Sequence, residues 1–169
     1  MRARVRFCLV GFFCVGAACS KGRDAVTQAT PEPLQVAKPS EGCSHAVCAD
    51  NFFIDAAPAD CTAGAACAVA LKLVATGAFH INDEYPYRFK ADDTAGLEFL
   101  GTDAGGKGTF SKGAGDWQKS EEKAGTMTVK FIAADKGARA VQGTFKLSVC
   151  SAQSCLLEQR QVTANVLAK

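Results

Sequence analysis

The sequence lacks any hydrophobic run long enough to cross a bilayer as a helix. A membrane-spanning helix needs ~20 apolar residues, whereas the longest uncharged, mostly apolar run, Phe7–Ala18, has twelve. Long amphipathic helical patterns and internal repeats are also missing, and neither sign of charge is in large excess, with 19 basic against 17 acidic residues. These absences argue against a polytopic membrane protein, a helical bundle and a protein with a broad nucleic-acid-binding surface.

The N-terminus has the pattern of an export signal. Arg2, Arg4 and Arg6 precede the apolar run, and the small residues of "VGAAC" lead into Cys19. This order of charge, apolar run and small residues is typical of a secretory signal peptide, and "VGAAC" resembles a bacterial lipobox. We therefore expect lipidation at Cys19 and a lipid anchor in the cell envelope of a Gram-negative bacterium. The chain would face the periplasm, and Ser20 agrees with delivery to the outer membrane.

Cleavage of the signal removes charge and argues against two classes of partner. Loss of three arginines leaves 16 basic and 17 acidic residues, a formal charge of −1, so no nucleic acid is expected. The stretch "GTDAGGKGT" is spaced like a phosphate-binding loop, but Gly108 stands where Ser or Thr would hold magnesium, and no helix follows. We expect neither a nucleotide nor any cofactor.

Composition divides the chain into three parts. Residues 1–18 form the predicted signal, and residues 19–49 are rich in Pro, Thr, Ser, Gln and charge, without a hydrophobic period. Such a segment buries too little apolar surface to offset the entropy of ordering it, so we expect a flexible tether. Residues 50–169 then have the size of one domain.

Within the domain the hydrophobic pattern has a period of two. In "TMTVKFIA", Met127, Val129 and Phe131 alternate with polar residues, as a strand with one buried face requires. Similar segments occur at 51–55, 66–76, 85–91, 96–101, 140–150 and 157–166. Short alternating segments separated by turns predict an all-β domain, an antiparallel β-sandwich of immunoglobulin-like type.

Six cysteines remain after the signal and Cys19, and they fall into three close pairs. The pairs are Cys43/Cys48, Cys61/Cys67 and Cys150/Cys155. In an exported chain an even number of cysteines indicates disulfides, and proximity favours local pairing. We expect structural disulfides at the first two pairs. "CSHAVC" also suggests a metal site through His45, but three ligands on so short a loop lack a clear fourth, so no metal is predicted.

Alternation also predicts where the last cysteine pair points. The inward set of the first strand is Val141, Gly143, Phe145, Leu147 and Val149, and that of the next is Leu156, Val162, Ala164 and Val166. Cys150 and Cys155 have the opposite parity, so both sulfurs should face outward. "SAQS" would form a hairpin loop that sets them opposite each other, close enough for a disulfide. Either a structural staple or an accessible redox pair is consistent with this geometry.

A family resemblance favours the redox interpretation. The stretches "GAFHINDEYPYRFKA" and "GTFKLSVCSAQSCLLEQRQVTANV" resemble the periplasmic N-terminal domain of the thiol:disulfide interchange protein DsbD. The resemblance implies an immunoglobulin-like fold, with Cys150 and Cys155 as the catalytic pair. It further implies a thioredoxin-like periplasmic protein or a membrane reductant as partner. The family shields its cysteines with an aromatic cap, for which Phe110 and Trp117 are candidates, although Phe110 also fits the role of a core aromatic and Trp117 that of a half-exposed loop anchor.

Two other hypotheses stay open. A non-catalytic lipoprotein, stiffened by three disulfides, could bind a protein partner or serve the envelope structurally. A weaker one is metal carriage through the Cys43–Cys48 cluster. His80, in "FHINDEYPY", has no accompanying Ser, Cys or metal cluster nearby in sequence, and we expect it to be a hydrogen-bonded turn residue.

Overall fold

The computed structural model describes residues 43–169, which contain the whole predicted sandwich. The predicted signal peptide, Cys19 and most of the predicted tether lie outside the described residues. Strand pairing begins at Val47, three residues before the expected domain start, because the short segment Val47–Ala49 pairs with Phe52–Ala56. Within residues 43–169, no helix has the length and apolar character needed to span a membrane.

Residues 43–169 are built from strands joined by turns. In chain order the strands are β1 Val47–Ala49, β2 Phe52–Ala56, β3 Ala59–Cys61, β4 Ala66–Ala75, β5 His80–Ile81, β6 Arg88–Ala91, β7 Leu97–Phe99, β8 Thr102–Asp103, β9 Gly106–Lys107, β10 Thr109–Ser111, β11 Trp117–Glu121, β12 Ala124–Ala133, β13 Gly137–Cys150 and β14 Cys155–Ala168.

Most of these strands belong to two sheets. The first has the order β1-β2-β4-β12-β11, with β7 also paired to β12, and the second has the order β10-β6-β13-β14-β3, with β5 also paired to β13. All pairings are antiparallel except that of β3 with β14. A small hairpin, β8–β9, stands apart. The fold is an all-β, immunoglobulin-like antiparallel sandwich, as the alternation predicts.

The core lies between the two sheets and follows the predicted parity. On β12, Met127, Val129 and Phe131 are fully buried, and Val129 faces Val69 of β4 across the first sheet. On β13, Phe145 and Leu147 are fully buried. Burying a side chain of this size contributes about 1.5–3 kcal/mol, so the alternating residues of β4, β12 and β13 provide much of the stabilisation.

Local interactions shorten one predicted strand. The segment 85–91 was expected to be extended throughout, but strand β6 begins only at Arg88. The Tyr87 hydroxyl donates a hydrogen bond to the Ser148 carbonyl at 2.6 Å and accepts one from the Asn82 amide at 3.0 Å. These bonds hold residues 82–87 as a loop across the end of β13, because a buried hydroxyl needs partners.

Candidate functional site

The candidate site lies at the tip of the longest hairpin. Strands β13 and β14 pair continuously from Gly137↔Ala168 to Cys150↔Cys155. The turn Ser151–Ser154 closes the hairpin: the Ser151 amide donates to the Ser154 carbonyl at 2.8 Å. The Ser151 hydroxyl accepts bonds from the amides of Gln153 and Ser154, each at 3.2 Å. The predicted four-residue loop and the opposition of the two cysteines are both confirmed.

Cys150 and Cys155 are joined by a disulfide, with their Cα atoms 4.0 Å apart. Their neighbours Val149 and Leu156 pack against the hydrophobic core. Since successive strand residues point to opposite faces, the bond lies on the outer face of the second sheet, as predicted.

The two sulfurs differ in exposure, which corrects the expectation that both are accessible. Cys155 is exposed, but only 6% of Cys150 is. Cys150 is flanked by β14 on one side and by β5 on the other, where it pairs with His80. Alternation along a strand predicts which face a side chain occupies, but not whether a neighbouring strand covers it. The strand that flanks Cys150 here, β5, is only two residues long. The pair therefore offers one sulfur to solvent.

The loop formed by residues 82–87 holds the β5 side of the site in place. The Asn82 side-chain amide donates to the Ser148 hydroxyl at 3.2 Å, and Ser148 is fully buried on the outer face although it is polar. Tyr87 anchors the same loop through the Ser148 carbonyl, and its ring stacks on Trp117 with centroids 4.1 Å apart. Burial raises the pKa of the Tyr87 phenol well above its usual range. The phenol is thus a neutral hydrogen-bond donor at ordinary pH.

His80 belongs to the site, although its neighbours in the sequence indicate only a hydrogen-bonded turn residue. It is the cross-strand partner of Cys150, and Val149 is the partner of Ile81. Ile81 and Val149 are core residues, so His80 lies on the outer face with the disulfide. The alternation of Phe79, His80 and Ile81 indicates that His80 faces away from the core, but nothing in the sequence indicates that β5 pairs with β13.

The exposed sulfur has an apolar neighbour. Leu157 lies two residues beyond Cys155 on the same outer face and is 68% exposed. Along the other edge of β14, no strand among residues 43–169 pairs with the segment 155–165, because β3 pairs only with Val166–Ala168. Exposed apolar groups and open strand edges are features that bind other proteins. The surface around Cys155 can accommodate a partner.

The first cysteine pair forms the expected disulfide. Cys43, just before β1, forms a disulfide with Cys48 of β1. Between them, His45 bonds through Nδ1 to the Asp55 carboxylate and stacks on Phe53, with ring centroids 4.0 Å apart. These contacts assign His45 to local packing and give no support to the metal hypothesis. Within residues 43–169 no cluster of three or more His, Cys, Asp or Glu could hold a metal.

The second cysteine pair corrects a prediction, because Cys61 and Cys67 are not bonded to each other. The two half-buried thiols are neighbours, on β3 and β4, and belong to opposite sheets. The Cys67 thiol donates instead to the Ala65 carbonyl at 3.4 Å. Burial, followed by the contact with Cys67 and the charge of Asp60, raises the pKa of the Cys61 thiol to about 11. Cys61 and Cys67 are thus two free thiols in contact with each other.

The proposed cap residues are core residues instead. Phe110 is fully buried on β10 and packs near Phe89, with ring centroids 6.4 Å apart. Trp117 begins β11, is 6% exposed and packs on Tyr87 and Phe145. Both side chains lie between the sheets, whereas the disulfide lies on an outer face. Phe110 and Trp117 belong to strands β10 and β11, whose aromatic side chains complete the core.

Comparison with known proteins gives only distant similarities. No protein-family model matches the chain, and no curated protein is a significant match. Among solved structures, the chain is similar to AggA, the major subunit of aggregative adherence fimbriae type I from Escherichia coli, at 13% identity and a TM-score of 0.33, over 74% of this chain and 99% of that one. It is also similar to a PapD-like domain of human CEP192 at 12% identity and a TM-score of 0.30, over 78% and 99%. Similarities this distant carry no functional argument.

Proposed function

We propose that the domain carries out thiol–disulfide exchange with a thioredoxin-like protein through Cys150 and Cys155. The observation that carries the proposal is the position of the bond: it lies on an outer face at a hairpin tip, and Cys155 is an exposed residue. Disulfide exchange needs a sulfur that an attacking thiolate can reach. A bond buried in the core would not meet this requirement.

The hairpin itself argues against a purely structural bond. Residue pairing runs without interruption from Gly137↔Ala168 to the cysteines, so the two strands are already aligned by a long ladder. The bond closes a loop of residues only five positions apart, and short loops restrict the unfolded chain least. A covalent link adds little to the stability of a hairpin held in this way.

The exchange begins at the exposed sulfur. In the oxidised protein, a partner thiolate attacks Cys155 Sγ, the Cys150–Cys155 bond breaks, and its electron pair leaves on Cys150 Sγ. The second thiolate of the partner then attacks the partner sulfur of the mixed disulfide and releases Cys155. The partner is oxidised to a disulfide by two electrons, and the domain is reduced to two thiols. Transfer in the opposite direction follows the same steps in reverse.

The surroundings of Cys155 suit a protein partner better than a small oxidant. Leu157 presents an apolar side chain beside the sulfur. The Ser151 to Ser154 bond marks those residues as a hydrogen-bonded pair, so by alternation the backbone N–H and C=O of Cys155 point to the open edge of β14. A partner segment in extended conformation can pair with this edge while its thiolate reaches the sulfur.

Cellular context follows from the N-terminal sequence. On the lipobox-like "VGAAC" and the polar segment 19–49, we propose that Cys19 is lipidated and that the domain works on a tether at the periplasmic side of the envelope. The resemblance of the segments around the cysteines to the N-terminal domain of DsbD supports a role in thiol–disulfide exchange. The chain would receive electrons from, or donate them to, a separate thioredoxin-like protein or membrane reductant.

Trapping of the mixed disulfide tests this function. In the Cys150→Ala variant the Cys155 thiolate should attack a Cys-x-x-Ala thioredoxin-like protein whose remaining cysteine carries a thionitrobenzoate disulfide. Thionitrobenzoate leaves, and a covalent complex through Cys155 that neither protein can resolve accumulates and is seen on a non-reducing gel. Cys155→Ala should trap at least tenfold less, because Cys150 is buried. Cys61→Ala, whose sulfur takes no part, should exchange like the wild type.

The alternative function has its own support in the burial of Cys150. If the wild-type bond resists a reduced thioredoxin-like protein until denaturant unfolds the domain, exchange is excluded. The domain would then be a non-catalytic module, stabilised by disulfides, that binds a protein through the open edge of β14.

A further inference from the structure

His80, Cys150 and Cys155 form a row across the outer face of the second sheet. Cys150 is in the middle, paired with Cys155 on one side and with His80 on the other. His80 is one of two histidines in the chain, and it is half-buried. The row therefore places an ionisable ring beside the sulfur that is shielded from water.

Direct cross-strand pairing brings the His80 ring within reach of Cys150. The Asn82 amide donates to the Ser148 carbonyl at 3.5 Å, so by alternation Cys150 and His80 are also a hydrogen-bonded pair. Directly opposed residues have Cβ atoms about 4.5–5.5 Å apart, and a hydrogen-bonded pair lies towards the longer distance. An imidazole with its Cβ at this distance can turn towards the neighbouring sulfur.

Several charged groups lie around β5. The hydrogen bond from Lys119 is the largest cause that lowers the Asp83 pKa, and the charge of nearby His80 adds to it. The Lys119 Nζ lies 2.6 Å from the Asp83 carboxylate, and Lys112 bonds to the Asp83 carbonyl. From the β11–β12 turn, the Glu122 carbonyl accepts from Ile81 at 2.9 Å, and Lys123 donates to the Gly77 carbonyl at 2.6 Å.

Burial of Cys150 creates a need for a local proton donor. When Cys155 is attacked, the negative charge appears on the Cys150 sulfur, and a thiolate shielded from water is disfavoured. An adjacent cation or proton donor removes that penalty. Of the groups around the site, His80 is the direct cross-strand neighbour of the leaving sulfur.

We propose that His80 is the acid–base group that serves Cys150 during disulfide exchange, an inference that rests on the proposed function. As the bond to Cys155 breaks, protonated His80 stabilises the departing Cys150 thiolate and transfers its proton to it, leaving a neutral imidazole and a thiol. In the reverse direction, neutral His80 accepts the Cys150 proton, and the resulting thiolate attacks Cys155 in the mixed disulfide. The electrons come from, or go to, the dithiol of the partner.

The test measures the ionisation of Cys150 without any partner. In the Cys155→Ala background, Cys150 is a free thiol whose ionisation can be followed by the NMR shift of its labelled Cβ against pH. Adding His80→Gln should move the Cys150 titration upward by about one pH unit, a tenfold loss of thiolate at a given pH. His80→Lys, which keeps a positive charge, should retain a low titration midpoint. His45→Gln is the matched control and should change nothing, because His45 precedes β1 of the first sheet and bonds to Asp55 in the wild type.

An unchanged Cys150 titration in His80→Gln would overturn the inference. Near-ultraviolet circular dichroism verifies that each variant is folded, and His80→Phe, which keeps a ring but binds no proton, takes the place of His80→Gln if that variant is not folded. The titration itself can be measured whether or not the proposed function holds, because it uses no partner protein. A shifted titration together with a bond that no thioredoxin-like protein reduces would leave the His80–Cys150 coupling in place and reject the exchange.

Discussion

Tyr87 is the residue that ties the loop beside the disulfide to the hairpin. Its buried hydroxyl serves two backbone groups, the Ser148 carbonyl and the Asn82 amide. Burial raises the pKa of the phenol above its ordinary value, so the neutral form is the one the fold stabilises. That contribution is fully present below about pH 10 and is lost as the pH rises beyond it.

Tyr87→Phe should lower the free energy of unfolding by about 1–3 kcal/mol. The ring volume is kept, but a buried carbonyl and a buried amide lose their partner. Urea unfolding followed by Trp117 fluorescence measures the change, and the alkaline loss of stability should be smaller in the variant. Tyr85→Phe is the matched control, since Tyr85 is only half-buried, and it should cost less. An equal cost for both variants would contradict the role of the Tyr87 hydroxyl.

At the scale of elements, β13 organises the second sheet because three strands pair with it. Strands β14, β5 and β6 all pair with β13, and the close approach of β6 depends on Gly143. A Cβ at this position would lie 2.9 Å from the Ala91 Cα and would also meet the Phe89 ring and the Lys90 carbonyl. Because two of these contacts are with backbone atoms of β6, they can be relieved only by moving that strand, which costs free energy.

Gly143→Ala should therefore destabilise the domain by about 1–3 kcal/mol through overpacking. Thermal unfolding measures the effect. Gly113→Ala is a suitable control, since a Cβ there would meet only the Ser111 hydroxyl at 3.7 Å, an ordinary contact. Equal stability of the two variants would show that β6 can move away from β13.

At the same scale, the alternation along β14 predicts its buried apolar positions but not the charged pair that shares their face. The inward positions Val162, Ala164 and Val166 are buried as expected. The same parity continues through Glu158 and Arg160, which form an ion pair at 3.0 Å, with the Arg160 guanidinium over the Phe52 ring at 5.7 Å. A charged pair can occupy an inward position here because both side chains remain about a quarter exposed at the end of the sandwich.

For the molecule as a whole, stability resides in the two packed sheets and not in the disulfides. Both bonds join cysteines only five positions apart, and neither Cys43 nor Cys48, nor the pair at the hairpin tip, links one sheet to the other. Breaking a loop of this length removes at most about 2 kcal/mol in the chain-entropy model.

Complete reduction should accordingly leave the domain folded. We expect cooperative urea unfolding with and without reductant, and a loss of about 2 kcal/mol or less for each bond. The double variant Cys150→Ala, Cys155→Ala should match the loss assigned to the hairpin bond alone. Collapse of the far-ultraviolet circular dichroism on reduction would contradict this view and would favour a structural role for the bonds.

The sequence by itself determined the class of fold and the face of each strand residue. A period of two fixes which side chains share a face, and two cysteines bracketing a short polar loop must meet if the flanking strands pair. The predictions of export and of lipidation at Cys19 also rest on linear patterns and stay predictions. These features depend on neighbours along the chain, which a sequence displays directly.

Only the tertiary structure decided which strands lie beside one another. That choice placed β5 and His80 beside Cys150, drew Phe110 and Trp117 into the core and left the neighbouring thiols of Cys61 and Cys67 without a disulfide. Each of these outcomes depends on contacts between segments far apart in sequence. Such contacts are selected by the packing of the whole core, and no local pattern of residues encodes them.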